Sequence, residues 1–189
     1  MHSTKFMSDN INNTFATDAG MLALWSPENF HNITDYDSWE RELLDEADIS
    51  RHIEQGAFVP INIQSDGAYQ CVVRAASSGV PATLSNRERR YLVVSSEPYL
   101  FRSRDTVAIC GIEHISRSPE EPAAFFALPA GDWAVTVHLI DWPSEPGAIS
   151  PDGNPTSTAL SDFVILLNPT TTQARYRTKM ETFEKSGND

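Results

Sequence analysis

His138 lies between Asp132 and Asp141, an order of acid and imidazole that could serve a general base with an orienting carboxylate. A serine nucleophile to match it would sit on a Gly-x-Ser-x-Gly elbow, and the chain contains none. A strand histidine turned toward a polar sheet face explains His138 as well. His2, His31, His52 and His114 are scattered, with no pair in a ligand motif, so no metal site is expected. Gly-rich phosphate loops of the dinucleotide or Walker type are absent. Paired carboxylates could do glycosidase chemistry, but their separation cannot be read from an acidic sequence. Cys71 and Cys110 fall in apolar segments outside any Cys-x-x-Cys spacing, which reads as two reduced, buried thiols. No cofactor and no catalytic residue is expected from these patterns.

The carboxylates carry the stronger signal. Lys and Arg number 14 against 26 Asp and Glu, a net charge of −12 and a pI near 4.7. Such a balance disfavours nucleic-acid binding, which recruits phosphates with clustered bases. Asp35, Asp37, Glu40, Glu42, Asp45, Glu46 and Asp48 crowd into one stretch with Arg41 as the single base. From Ser118 to Ala174 there is no Lys or Arg, while Glu120, Glu121, Asp132, Asp141, Glu145, Asp152 and Asp162 add seven negative charges. Arg87, Arg89, Arg90, Arg102 and Arg104 make a contrasting basic stretch. One reading of the acidic stretch is a solvated, solubilising face. The sharper one is a surface matched to a basic partner, raising association rate and specificity.

The elements that must position these groups follow from periodicity. Residues 1–18 are polar and predict a loose arm, and Ala19 to Trp25 reads as a strand. Trp39, Leu43 and Ala47 recur every four residues and predict a helix capped by Asp37 or Ser38. A further helical stretch from Ile49 to Gln55 ends at Gly56. The period then becomes two: Val59, Ile61 and Ile63 alternate, as do Tyr69, Cys71, Val73 and Ala75, with Ser65-Asp66-Gly67 between them as a hairpin turn. Arg90 to Ser96 and Thr106 to Ile109 are strand-like. Pro129-Ala130-Gly131 predicts a turn between Phe125–Leu128 and a long strand from Asp132 to Trp142, with Trp133, Val135, Val137 and Leu139 on one face. Phe163 to Leu167, apolar on both faces, predicts a central strand. Pro143 to Thr158 reads as a long loop, and Arg175 to Lys185 as a short helix or tail.

The fold class expected is mainly β: an antiparallel β-sandwich with a short acidic helical segment, an α+β layer being the alternative. A single domain over 19–170, including the helical segment 37–55, is expected between the arm and a tail over 171–189. Met1 to Asn13 has one Lys and no apolar core, and no stretch reaches the roughly 18 apolar residues of a membrane helix. A cytoplasmic protein is expected.

Several segments resemble a family of uncharacterised bacterial proteins grouped with toxin-immunity and competence-nuclease-inhibitor domains. They are Val59-Pro-Ile-Asn-Ile63, Ser65-Asp-Gly-Ala-Tyr69, Arg90-Tyr-Leu-Val-Val-Ser-Ser96, Leu128-Pro-Ala-Gly-Asp-Trp-Ala-Val-Thr-Val-His138 and Asp162-Phe-Val-Ile-Leu-Leu-Asn-Pro169. The resemblance implies a β-sandwich that neutralises a toxin, often a nuclease, by binding it. It defines no catalytic residues, and the acidic helix lies outside it. The expectation is therefore a non-enzymatic protein whose seven clustered acids face a basic toxin or nuclease. A carbohydrate- or small-molecule-binding sandwich using Trp133, Trp142 and Tyr69 as stacking surfaces is the alternative, and an uncatalogued hydrolase a third.

Overall fold

The computed structural model describes residues 10–119, 123–171 and 175–184. Its strands are β1 (Asn10–Thr17), β2 (Met21–Trp25), β3 (Phe58–Asn62), β4 (Gly67–Ala75), β5 (Leu92–Ser95), β6 (Tyr99–Gly111), β7 (Ala124–Ile140) and β8 (Phe163–Pro169). Three helices join them: α1 (Tyr36–Leu43), α2 (Glu46–Glu54) and α3 (Asn86–Arg90). The hydrogen-bonded order is β1-β4-β8-β7-β6-β2-β3, with β5 on β7. All pairings are antiparallel except β4 with β8. The fold is mainly β, as the alternation predicts, and its sheet is mixed.

The long β6–β7 ribbon ties the sheet together. Its end near the connecting loop, Ala108–Gly111 of β6, pairs with β2, while its far end, Trp133–Leu139 of β7, pairs with β8. Between these ends the register slips at Ser103/Asp105, where Asp105 has φ 84° and Gly131 has φ 143°. A bulge there bends both strands, and the β1 edge comes to lie against β6 and β2. The predicted turn at Pro129-Ala130-Gly131 is thus an irregularity inside one 17-residue strand, not the end of a hairpin.

The predicted hairpin between β3 and β4 does not form. β3 pairs with β2, whereas β4 pairs with β1 and β8. Pro60 gives the physical reason. Its carbonyl and the Asn62 N–H both engage the Thr182 hydroxyl, at 2.8 Å each, so this edge of β3 faces the C-terminal segment. Pro60 has no N–H to offer a further strand there. Ser65-Asp66-Gly67 instead carries the chain to another part of the sheet, with the Tyr69 hydroxyl donating to the Ser65 and Asp66 carbonyls.

Within the expected N-terminal arm, of which residues 1–9 lie outside the described residues, Asn10–Thr17 forms β1, an edge strand whose inward side chains are Ile11, Phe15 and Thr17. The central-strand reading of Phe163–Leu167 holds, every residue there being buried. Trp133, Val135 and Val137 are buried in the main core. A smaller cluster of Leu84, Ile140, Val164 and Leu166 lies apart from it, joined by Ala82, Tyr91, Trp142 and Leu160. Residues 175–184 form no helix, and Arg177 and Thr182 are buried.

An acidic helical layer and the pocket beneath it

The seven acids occupy α1, α2 and their caps, with Asp35 and not Asp37 or Ser38 capping α1. Asp35 Oδ1 accepts from Ser38 N at 2.8 Å, and the Ser38 side chain answers the Asp35 N–H. This reciprocal box satisfies two orphan donors. The Ser38 side-chain and backbone hydrogen bonds hold the Asp35 carboxyl below its ordinary value. Asp45, extended at φ −90° and ψ 142°, breaks the helix in two. That break explains why Ala47 is exposed although the four-residue spacing predicts it inside. The inner face is Leu43, Ile49, His52 and Ile53, buried among Phe30, Phe58 and Trp25. Gly56, at φ 73°, closes α2, and a Cβ there would meet Arg102 Cγ at 3.0 Å.

The acids fall into two groups. Glu42 accepts from Asn32, Arg51 and His52, and Asp48 lies 3.2 Å from Arg51. With Asp35, these three serve the local structure. Asp37, Glu40, Asp45 and Glu46 have no ion pair among the described residues. The negative charge of Glu40, one helical turn on, raises the Tyr36 phenol pKa. The acids of the base-poor segment are engaged elsewhere. Asp162 accepts from Gln70 N and Trp142 Nε1, Glu145 pairs with Arg87, and Asp132 lies 3.6 Å from Arg102. Glu120 and Glu121 lie outside the described residues.

One feature escaped sequence reasoning. An open cavity of about 320 Å³ separates the start of α1 from the turn after β6, lined by Ile33, Tyr36, Trp39 and Ile115 with Asp35 and Glu113 beside them. Trp39 Nε1 donates to the Ile112 carbonyl at 3.0 Å, fixing the indole, and Tyr36 stacks on it at 6.0 Å with planes 15° apart. The two sides of this cavity lie more than 70 residues apart in sequence, so only an exposed aromatic at the helix start hinted at it.

The other candidates do not assemble. His138 Nδ1 contacts Ser95 Oγ at 2.7 Å and Nε2 contacts Thr136 Oγ1 at 3.1 Å, leaving no ring nitrogen for a carboxylate. Asp132 turns to Arg102 and Asp141 to Ser144. Burial lowers the His138 pKa and favours a neutral ring. Trp133 packs in the main core while Trp142 joins the smaller cluster, and the Tyr69 hydroxyl is held by its own turn. These three rings therefore do not form a common stacking platform. Among the described residues, no three His, Cys, Asp or Glu side chains gather as a metal-binding group. Cys71 and Cys110 are free and buried, and desolvation pushes the Cys110 thiol up to about 12. No described helix is long and apolar enough to cross a membrane.

No family model and no curated protein matches the chain. Two solved structures resemble it. A protein titled crocagin biosynthetic gene J is 15% identical, with a TM-score of 0.53 covering 86% of this chain and 97% of that one. ComJ from Bacillus subtilis, titled an inhibitor of the DNA-degrading activity of NucA, is 11% identical, with a TM-score of 0.46 covering 85% and 96%. The first likeness shows a shared fold.

Proposed function

We propose that this chain is a non-enzymatic binding protein that neutralises a basic toxin or nuclease by covering its cationic surface with the α1–α2 layer. One observation carries the reading. Asp37, Glu40, Asp45 and Glu46 have no cationic partner among the described residues, on helices whose inner faces are anchored by Leu43, Ile49 and Ile53. A rigid array of uncompensated negative charge attracts a cleft evolved to hold phosphates and accelerates encounter with it. The neighbouring carboxylates Glu42 and Asp48 share Arg51, so the array's negative character lies toward the exposed positions.

The test is enzymatic but reads the partner. The product of the adjacent gene is assayed for DNA degradation while this chain is titrated in. Stoichiometric inhibition that weakens with salt supports the proposal. Undiminished degradation at a several-fold excess of this chain, in low salt, refutes it.

A further inference from the structure

The cavity at the start of α1 combines two features that suit one side chain. Its walls are apolar and aromatic: Ile33 and Ile115 are each 1% exposed, and Tyr36, 67% exposed, stands over Trp39 as a stacked pair. Its lining includes two carboxylates, Asp35 at the α1 cap and Glu113 in the turn after β6, and no Lys or Arg. Arg117 lines only the adjoining hollow.

Both carboxylates are held in place by neutral donors. Asp35 receives both of its Ser38 hydrogen bonds through Oδ1, which leaves Oδ2 without a partner among the described residues. Glu113 accepts from the Thr17 hydroxyl at 3.0 Å and from Asp18 N at 2.8 Å. These contacts orient the charges without cancelling them; a basic ring beside them, His114, has Nε2 3.6 Å from Glu113 Oε1 and carries charge only when protonated. The cavity stands at the small end of ligand pockets, roughly 300–1,000 Å³, and so fits a side chain better than a cofactor.

We infer that this cavity receives an arginine side chain of the partner protein, its guanidinium between Asp35 and Glu113 and its plane against the Tyr36–Trp39 pair. The inference rests on the reading that the partner is a basic protein. Guanidinium is the group that satisfies both halves of the site. It is planar, stacks on aromatic faces, carries a permanent charge and is weakly hydrated. Its aliphatic stem would lie along the exposed Tyr36 and half-buried Trp39 rings, as long cationic side chains do on apolar surface. The fixed indole makes the site preorganised, which lowers the ordering cost of binding.

The probe is N-acetyl-arginine amide, titrated into isotope-labelled protein, with N-acetyl-citrulline amide as its neutral counterpart. The expected result is saturable shifts of the Trp39 indole N–H and of the Ile115 and Ser116 amides with arginine only. Asp35→Asn with Glu113→Gln should weaken binding about tenfold or more. Asn remains a competent N-cap, so α1 survives that change. Tyr36→Ala, at an exposed position, gives a second variant that should retain the wild-type melt and still bind arginine less tightly. Equal shifts with citrulline, shifts confined to other residues, or undiminished binding by both variants would overturn the inference. Inhibition of the adjacent gene product separates it from the broader proposal. Full inhibition by both variants sinks the pocket's role and leaves the inhibitor standing. Arginine capture by a chain that inhibits nothing sinks the inhibitor instead.

Discussion

Exchanging Asp37, Glu40, Asp45 and Glu46 for Asn or Gln isolates the charges that the fold does not use. The paired Glu42 and Asp48 and the capping Asp35 are left alone, because their partners are Arg51, His52 and Ser38. If each of the four lies about 10 Å from a partner cation across water, Coulomb's law gives about a twofold effect on the encounter rate per charge. Together they amount to roughly sixteenfold in very dilute salt. At 0.1 M the Debye length is about 10 Å, each effect falls to about 1.3-fold, and the total to about threefold. Near 0.5 M, with a Debye length of roughly 4–5 Å, wild type and variant should converge. Asp37, Asp45 and Glu46 are exposed, Glu40 is half-buried and none of them has an ion pair among the described residues, so the melt should move by no more than about 2 °C. Stopped-flow mixing with the product of the adjacent gene measures the rates across this salt range. Equal rates in dilute salt would refute the reasoning and make the cluster a solubility feature.

Trp133→Ala removes a ring that is 7% exposed and donates to the Pro129 carbonyl at 3.0 Å. It should cost about 3–5 kcal/mol in a denaturant or thermal melt, and a melt within a degree of wild type would contradict the packing. Stability should also fall on acidification in two windows, read from melts against pH. Burial lowers the pKa of His52 and His138 below 6.5, so the unfolded chain takes up protons first and stability declines as pH drops through that range. Burial alone would raise the Glu88 carboxyl, but hydrogen bonds from Arg74 and Ser85 outweigh it and hold it below 4.5. Its contribution is present above 4.5 and disappears as pH falls through the lowered value, and Glu88→Gln should flatten that second decline.

Continuous apolar runs, Ala19–Trp25 and Phe163–Leu167, were enough to read two strands buried on both faces, and period-two alternation was enough for Trp133–Val137. Strand pairing was not legible in the same way. The Asp-Gly dipeptide after β3 has the chemistry of a hairpin, yet the decisive residue was Pro60, whose missing N–H marks an edge. β1 was hidden by its polar outer face, since an edge strand needs only Ile11, Phe15 and Thr17 inward. α3 was missed because five residues show no helical period, although Ser85 and Glu88 form a capping box. The acidic stretch was plain in the sequence. Its division into paired and unpaired carboxylates was not, because Arg51, His52 and Asn32 become partners only when the helices turn back on each other.

The parallel partnership of β4 and β8 has a consequence for how the chain is made. Cys71 pairs with Phe163, so β8 arrives some ninety residues after the strand it must join. Long-range closures of this kind come late, after local ribbons such as β6–β7 have formed. β8 lies between β4 and β7. A nascent or truncated chain ending before Phe163 therefore carries two unfilled strand edges, each able to recruit a neighbouring copy. The last strand acts as a keystone: until it slides into place, the two halves of the sheet have no hydrogen bonds through β8 to join them.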